Sequence, residues 1–242
     1  MRKAPRLYID AALVGRSVLS LPREQSHYLV NVLRLTEGDG VLLFNGRDGE
    51  WRTNLSRAHK NAAELQVLEQ TRPQDQLADI HYAFAPLKAA RLDYMAQKAC
   101  EMGVARIIPV MTQHVVAGRV NLDRLRANVI EAAEQCELTA LPEVGDICDL
   151  AGLLAAREPD RELVFCDETA AGAPSLEALS GLESKPLLLL IGPEGGFSEA
   201  ERALIAKQAH VTRLSLGPRI LRADTAAVAA LALLQAKLGD WQ

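Results

Sequence analysis

The chain has 242 residues, enough for one or two domains with a substantial buried core. Hydrophobic residues make up 49% of it and charged residues 24%, a composition that argues against a disordered, collagen-like or coiled-coil chain. No apolar run reaches the roughly 18 residues that a membrane span needs, and the N-terminal segment has no apolar signal core, so the sequence predicts a cytoplasmic protein.

The net charge of −4 is unevenly distributed along the chain. Residues 1–72 carry a net charge of +3 and residues 73–242 a net charge of −7. A basic first segment is typical of a domain that holds a polyanion, although a solvated surface explains the charge equally well. The four cysteines lie far apart and the histidines are scattered, so neither a disulfide framework nor a metal site is expected.

The first part of the chain predicts a small β-barrel, because several short β-type runs alternate with tight turns. Asn-Gly and Asp-Gly, two strong hairpin signals, both fall within residues 45–49. A polar, proline-containing stretch at 71–76 predicts the boundary between domains 1–72 and 73–242. The expected strands are 6–9, 17–21, 41–44, 51–56 and 64–68, with a helix over 23–35.

From residue 77 onward, strands alternate with helices, which predicts an α/β domain with a parallel sheet. Leu187–Ile191 is apolar on both faces and should be a central strand covered on both sides. The other expected strands are 80–85, 104–111, 163–166 and 213–216. The expected helices are 89–102, 122–136 and 224–238.

A glycine-rich turn follows the central strand, with the sequence Ile191-Gly-Pro-Glu-Gly-Gly-Phe-Ser198. Ser198 and Glu201 form a capping-box pattern, so a helix should begin there. The turn lies at the carboxyl end of a strand, where α/β sheets bind ligands. Its spacing matches neither the dinucleotide fingerprint nor the P-loop. Taken alone, a purely structural turn explains it equally well.

A second Gly-Pro turn, at Gly217 and Pro218, follows the last predicted strand. Arg219, Arg222 and the pair Asp224-Thr225 crowd this junction, where they could simply be solvated groups and helix caps. The strands before the two turns are consecutive in sequence. We therefore expect the turns to face each other across one edge of the sheet and to form a pocket of backbone groups with charges at its rim.

Two weaker segments complete the pattern: Lys98–Val104, which runs into 107–110, and Glu134–Glu137 before Leu141. A capped helix end, a buried strand and surface groups explain each of them alone. In this order, however, the four segments resemble the SPOUT superfamily of methyltransferases. Within it they are similar to the RsmE family, the 16S ribosomal RNA uracil-N3 methyltransferases. The segments at 26–29, 32–35, 38–39 and 43–46 resemble that family's PUA-like RNA-binding barrel.

The resemblance implies features that composition alone does not indicate. It implies a deep trefoil knot formed by the C-terminal segment, a pocket for S-adenosylmethionine inside that knot, and a homodimer whose partner subunit completes the site. The cofactor would be held by Asp167, Glu168, Ile191, Gly192, Gly195, Gly196, Leu216, Gly217, Ile220, Leu221, Thr225 and Ala226.

The implied reaction requires that N3 of uracil lose its proton and that the base be unpaired. Arg222 is the candidate cation, either for the uracil anion or for a phosphate, and Glu194 and Asp224 are candidate bases. The expected partner is 16S ribosomal RNA or the small ribosomal subunit, without a membrane or a metal. The candidate RNA contacts are Arg2, Lys3, Arg6, Arg16 and Arg34.

The chain departs from the family pattern at three places. Glu137-Leu138 stands where Gly-Arg is common, Gln113-His114-Val115 replaces Glu-Arg-Ser/Cys, and Asp224 replaces a glutamate. Two other functions therefore stay open at this point. One is an RNA-binding assembly factor without activity, and the other is a SPOUT enzyme that methylates a ribose hydroxyl or a guanine nitrogen.

Overall fold

The computed structural model describes residues 4–115, 119–166, 175–182 and 185–241. The chain forms two compact units, one of residues 1–76 with 133–141 and one of residues 77–132 with 142–242. The sequence-based division assigns 133–141 to the second domain, whereas in the structure this stretch belongs to the first unit. No helix among the described residues is long and apolar enough to cross a membrane.

The first unit contains a five-stranded sheet in the order β1-β3-β4-β5-β2. β1 pairs in parallel with β3, and the other pairs are antiparallel. The predicted turn at 45–49 joins β3 to β4, and Gly46 adopts a φ of +81° within it. The strands are β1 (Arg6–Tyr8), β2 (Val18–Ser20), β3 (Gly40–Phe44), β4 (Glu50–Arg57) and β5 (Glu64–Arg72).

The helix predicted over 23–35 is shorter in the structure and changes its type. It comprises α1 (Arg23–His27) and a π-helical turn at Tyr28–Val32. The Leu33 amide bonds the Tyr28 carbonyl at 2.9 Å, which is the wider π-type spacing. Buried Ser26 fixes the segment to the sheet, because its hydroxyl accepts from the Ala63 amide at 2.9 Å.

Arg6 is buried in the first unit. Its Nε lies 2.7 Å from a Glu50 carboxylate oxygen, and each of the two side chains is only 7% exposed. The two terminal nitrogens donate to the carbonyls of Ala133 and Leu138, at 2.6 and 2.5 Å. The guanidinium also lies 3.9 Å from the centre of the Phe44 ring. The predicted contact of Arg6 with RNA phosphates is therefore wrong, since its donors hold residues 133–141 against the sheet.

The second unit contains a parallel sheet in the order β12-β10-β11-β6-β7-β8, and β9 also pairs with β7. The strands are β6 (Ala78–Phe84), β7 (Val104–Met111), β8 (Glu143–Val144), β9 (Cys148–Asp149), β10 (Glu162–Cys166), β11 (Leu187–Ile191) and β12 (Val211–Leu214). The helices are α2 (Ala89–Glu101), α3 (Leu122–Cys136), α4 (Leu150–Ala156), α5 (Ser175–Ala178), α6 (Glu199–Ala206) and α7 (Ala223–Leu238).

Helices cover both faces of this sheet, as the apolar sequence of β11 predicts. On one face, residues of β10 and β11 pack with α4 and α6 in a core that includes Phe165, Leu190 and Ile205. On the other face, α2 contacts β7 and α7 contacts β11, and the two helices contact each other. Every residue of β11 is buried, so the strand holds the start of the glycine turn that follows it in a fixed position.

We expect Arg6→Met to lower the free energy of unfolding of the first unit by about 3 kcal/mol, because the buried Glu50 carboxylate loses its nearer cation and keeps only Arg72, whose Nη1 lies 3.9 Å away. Arg52→Met is the matched control. Arg52 pairs with Glu69, and the side chains are 55% and 61% exposed, so its loss should cost at most about 1 kcal/mol. Urea unfolding, followed by Trp51 fluorescence in a Trp241→Phe background, measures both. Equal losses would contradict the structural role of Arg6.

Candidate functional site

The two glycine turns line one cavity of about 490 Å³ in the second unit. β11 and β12 are not neighbours, because β10 lies between them. All three strands are parallel, however, so the turns that follow them begin at the same edge of the sheet. The prediction that the two turns meet is therefore confirmed. The lining residues are Pro86, Leu87, Lys88, Arg91, His114, Pro193, Glu194, Ile220, Leu221 and Arg222.

The first turn bends back on itself directly after β11. Ile191 ends the strand, and its carbonyl accepts from the Ala85 amide at 3.0 Å. Gly196 has a φ of +69°, a left-handed conformation that favours glycine, and its amide donates to the Pro193 carbonyl at 2.9 Å. At Gly192 a Cβ atom would lie 2.5 Å from the Phe197 ring. These contacts give the turn a fixed shape against the core.

The predicted capping box at the start of α6 is confirmed. The Ser198 hydroxyl accepts from the Glu201 amide, and the Glu201 carboxylate accepts from the Ser198 amide at 2.8 Å. The other Glu201 oxygen accepts from the Gln113 amide at 2.8 Å. Burial disfavours the Glu201 charge, but the hydrogen bonds from Ser198 and Gln113 outweigh it and lower the pKa. Glu201 therefore ties the loop after β7 to the first turn.

The second turn begins earlier than the sequence indicates. The strand predicted over 213–216 is β12, which ends at Leu214, so partly buried Leu216 and exposed Gly217 belong to the turn. Gly217 has a φ of +96°, and a Cβ atom there would meet nothing within 4 Å. Ile220 is 91% exposed, which is unusual for a large apolar side chain beside a cavity.

Helix α7 starts without a side-chain cap. Arg222 is its N-cap residue, and neither Asp224 nor Thr225 caps it. One Asp224 oxygen accepts from the Thr225 amide at 2.9 Å, and the Arg222 carbonyl accepts from the Ala226 amide at 2.7 Å. The exposed Arg222 side chain lines the cavity, as predicted for a cation at the rim.

Arg91 is a cavity residue that the sequence reasoning missed. It lies in the first turn of α2, where its Nη1 contacts a Glu194 oxygen and its Nε lies 3.8 Å from an Asp224 oxygen. One guanidinium thus joins the first turn to the start of α7. Only the strand order places Arg91 at the site, because α2 follows β6 and the carboxyl end of β6 lies beside that of β11.

A buried tyrosine of β6 and a partly buried cysteine at the end of β10 stay uncharged at neutral pH. Burial raises the pKa of the Tyr82 hydroxyl well above its ordinary value, and burial raises the pKa of the Cys166 thiol to about 12. Neither group can therefore act as a base or an anionic nucleophile at neutral pH. Within the described parts of the chain, no cluster of three or more His, Cys, Asp or Glu side chains could hold a metal ion.

Four of the predicted site residues, Asp167, Glu168, Arg2 and Lys3, lie outside the described residues. Arg16 and Arg34 are exposed on the first unit. Both have a left-handed backbone, with φ of 68° and 57°, which is uncommon for arginine. Their contact with RNA remains a prediction.

Comparison with known proteins agrees with this geometry. A family model described as an RNA methyltransferase domain matches residues 73–235, and an RNA methyltransferase PUA domain model matches residues 21–68. The chain belongs to the RNA methyltransferase family.

Relatives of this RNA methyltransferase match over most of their length. The Ribosomal RNA small subunit methyltransferase E of Rickettsia conorii is 32% identical, over 95% of this chain and 94% of the relative. The protein of the same name from Bacillus subtilis is 30% identical, over 89% of this chain and 88% of the relative.

Two solved structures contain the bound methyl donor. A methyltransferase from Legionella pneumophila in complex with S-adenosylmethionine has a TM-score of 0.89 and 29% identity, covering 99% of this chain and 100% of its own. The Ribosomal RNA small subunit methyltransferase E of Neisseria gonorrhoeae bound to S-adenosylmethionine has a TM-score of 0.86 and 27% identity, with the same coverage. Both structures therefore share the fold of this chain over nearly its whole length, including the α/β sheet of the second unit.

We expect Glu201→Gln to destabilise the second unit by about 1 kcal/mol near neutral pH, because the charged capping-box partner is lost. The pKa of Glu201 is lower in the folded state than its ordinary value of 4.5, so its contribution is present above that value and is lost as the pH falls through the folded pKa. The difference from wild type should shrink in urea titrations at about pH 3.5. Glu199→Gln, in the same helical turn but exposed, is the control. A constant difference at both pH values would refute this linkage.

Proposed function

We propose that this chain transfers a methyl group from S-adenosylmethionine to N3 of a uridine in the 16S ribosomal RNA of the small subunit. The observation that carries the proposal is the meeting of two glycine turns at one cavity, in a chain that aligns along its whole length with donor-bound methyltransferases. Relatives named Ribosomal RNA small subunit methyltransferase E support the ribosomal target. A cytoplasmic location follows from that target.

The residues at the cavity suit the methyl donor. Gly217 leaves space where a side chain would project, and Gly196 turns the backbone through a left-handed conformation. Both turns therefore expose peptide groups that can bind the polar ends of the donor. When bound, S-adenosylmethionine supplies a methyl group that is already electrophilic on a sulfonium sulfur. In this proposal the donor-binding residues are Ile191, Gly192, Gly195, Gly196, Leu216, Gly217, Ile220, Leu221, Thr225 and Ala226, with Asp167 and Glu168.

The protein's part in the reaction is to orient the acceptor and to stabilise its charge. Arg222 and Lys88 are exposed cations at the cavity, placed to face uracil oxygens or a phosphate. N3 lies on the pairing edge of uracil, so the target base must leave its pair before it reacts. Arg16 and Arg34 of the first unit, with Arg2 and Lys3, would contact the RNA backbone.

The proposal includes a SPOUT fold with a C-terminal trefoil knot and a homodimer. The path of the chain supports the knot, because β12 lies at the sheet edge beyond β10 while α7 returns to contact β11. Exposed apolar side chains of the second unit support the dimer, above all Ile220 at 91%, together with Leu176 at 57% and Trp241 at 52%. Sedimentation equilibrium of the full chain measures the oligomeric state.

We expect Gly217→Val to weaken S-adenosylmethionine binding at least tenfold, because a side chain would fill space that the donor needs. Gly181→Val is the matched control: Gly181 has a φ of +84°, close to the +96° of Gly217, and both have open space at the Cβ position. The backbone strain is therefore similar, and only Gly217 belongs to the proposed pocket. Titration calorimetry measures both affinities. Equal affinities would show that the second turn has only a structural role.

We expect Arg222→Ala to lower turnover about 10²-fold while S-adenosylmethionine affinity changes little, because the cation acts on the acceptor rather than the donor. The assay is mass mapping of 16S ribosomal RNA from a strain lacking the gene, complemented with wild type or variant, beside calorimetry on the purified proteins. If wild type restores no methyluridine, the uracil assignment is wrong. If turnover and donor affinity fall together, Arg222 belongs to the donor pocket.

A further inference from the structure

The imidazole of His114 is held by the first glycine turn in one tautomer. Its Nδ1 lies 3.1 Å from the Gly196 carbonyl oxygen. A carbonyl oxygen can only accept a hydrogen bond, so Nδ1 carries the proton that is shared with it. In the neutral ring the lone pair is then on Nε2. Among the described residues, Nε2 makes no hydrogen bond.

The backbone around His114 is fixed as firmly as its ring. The neighbouring Gln113 amide donates to Glu201 at 2.8 Å, which ties this loop to the start of α6. A Cβ atom at Gly195 would lie 3.2 Å from the Cβ of His114, so the two backbones approach closely. The ring lines the same cavity as Arg222. The His114 side chain, although it lies on an exposed loop, therefore has a fixed position at the proposed reaction site.

Other candidate bases at this cavity are already engaged. Glu194 and Asp224 both face the Arg91 guanidinium, so their oxygens have a charged partner before any substrate arrives. The phenol of Tyr82 and the thiol of Cys166 keep their protons at neutral pH. Of these groups, only His114 has both a ring fixed against the first turn and a nitrogen, Nε2, that makes no hydrogen bond within the described residues.

We propose that Nε2 of His114 is the base that removes the N3 proton of the target uracil; this inference rests on the proposed function. The N3–H bond breaks and its proton moves to Nε2. The electron pair left on N3 forms the new bond to the methyl carbon, while the bond from that carbon to sulfur breaks and its pair stays on sulfur. The resulting imidazolium keeps its hydrogen bond to Gly196 and later releases the added proton to water.

Charges of both signs lie around the His114 ring. Carboxylates lie on the first turn and on α6, and cations lie on α2 and on the second turn. Glu201 stabilises the imidazolium after proton transfer, since its charge interacts with His114. The charged groups that line this part of the cavity, or contact its lining or the neighbouring Gln113, are Glu194, Glu201, Asp224, Lys88, Arg91 and Arg222.

The discriminating variant is His114→Asn. An asparagine amide nitrogen can replace Nδ1 as the donor to Gly196, but it provides no base at the position of Nε2. We expect unchanged S-adenosylmethionine affinity and a turnover about 10²–10³-fold lower at neutral pH. Above the pKa of uracil N3 the acceptor ionises by itself, so the difference from wild type should shrink. The wild-type turnover should decrease at low pH through a single ionisation, and the pH profile of the variant should lack this ionisation.

His210→Asn is the matched control. His210 is exposed, lies before β12 at the opposite edge of the sheet, and has a φ of 53°, which asparagine tolerates well. Its pH profile should equal that of wild type. ¹⁵N NMR of the ring nitrogens gives a measure independent of activity, and it should show a proton on Nδ1 and none on Nε2 in mildly alkaline solution.

The assignment fails if the His114→Asn enzyme has the wild-type rate and pH profile, or if the neutral ring carries its proton on Nε2. A loss of turnover that stays constant at all pH values would also overturn it and leave His114 a positioning residue. If the wild-type protein binds S-adenosylmethionine but methylates no uridine, the proposed function fails and this inference fails with it.

Discussion

Parallel pairing of the strands is the constraint on which the site depends. β6, β10, β11 and β12 all run in one direction, so the segments that leave them emerge at one edge of the sheet. β11 is buried along its whole length, so the residue from which the next turn starts has a fixed position. The cavity is therefore assembled from segments that are distant in sequence, and no single motif contains it.

Side-chain contacts then convert these turns into a defined site. Glu201 and His114 attach the loop after β7 to the first turn and α6, and Arg91 attaches α2 to the first turn and to the start of α7. Glu194 and Asp224, which look like catalytic bases in the sequence, both face the Arg91 guanidinium in the fold. The functional assignment of a carboxylate consequently depends on its neighbours more than on its position beside a glycine turn.

The sequence predicts the sheet of the second unit well where local signals agree with packing. β7 and β11 have the predicted bounds, because each is a largely apolar run with a glycine at one end, Gly103 before β7 and Gly192 after β11. It fails where distant contacts decide the outcome. The pairing of Cys166 with Leu214 sets the register of β12, which ends two residues before the predicted Leu216. The places of Arg6, Arg91 and His114 depend on partners at least 40 residues away, as their sequence separations of 44, 103 and 82 show.

The discontinuous composition of the first unit affects how the chain can fold during synthesis. Residues 133–141 supply the carbonyls that receive Arg6, yet the ribosome makes them only after β6 and β7 of the second sheet. The N-terminal sheet can thus reach its final packing only once residue 141 has left the exit tunnel. The two units therefore cannot complete their folding one after the other as the chain is synthesised. An N-terminal fragment that ends at residue 76 would lack residues 133–141, which belong to the first unit.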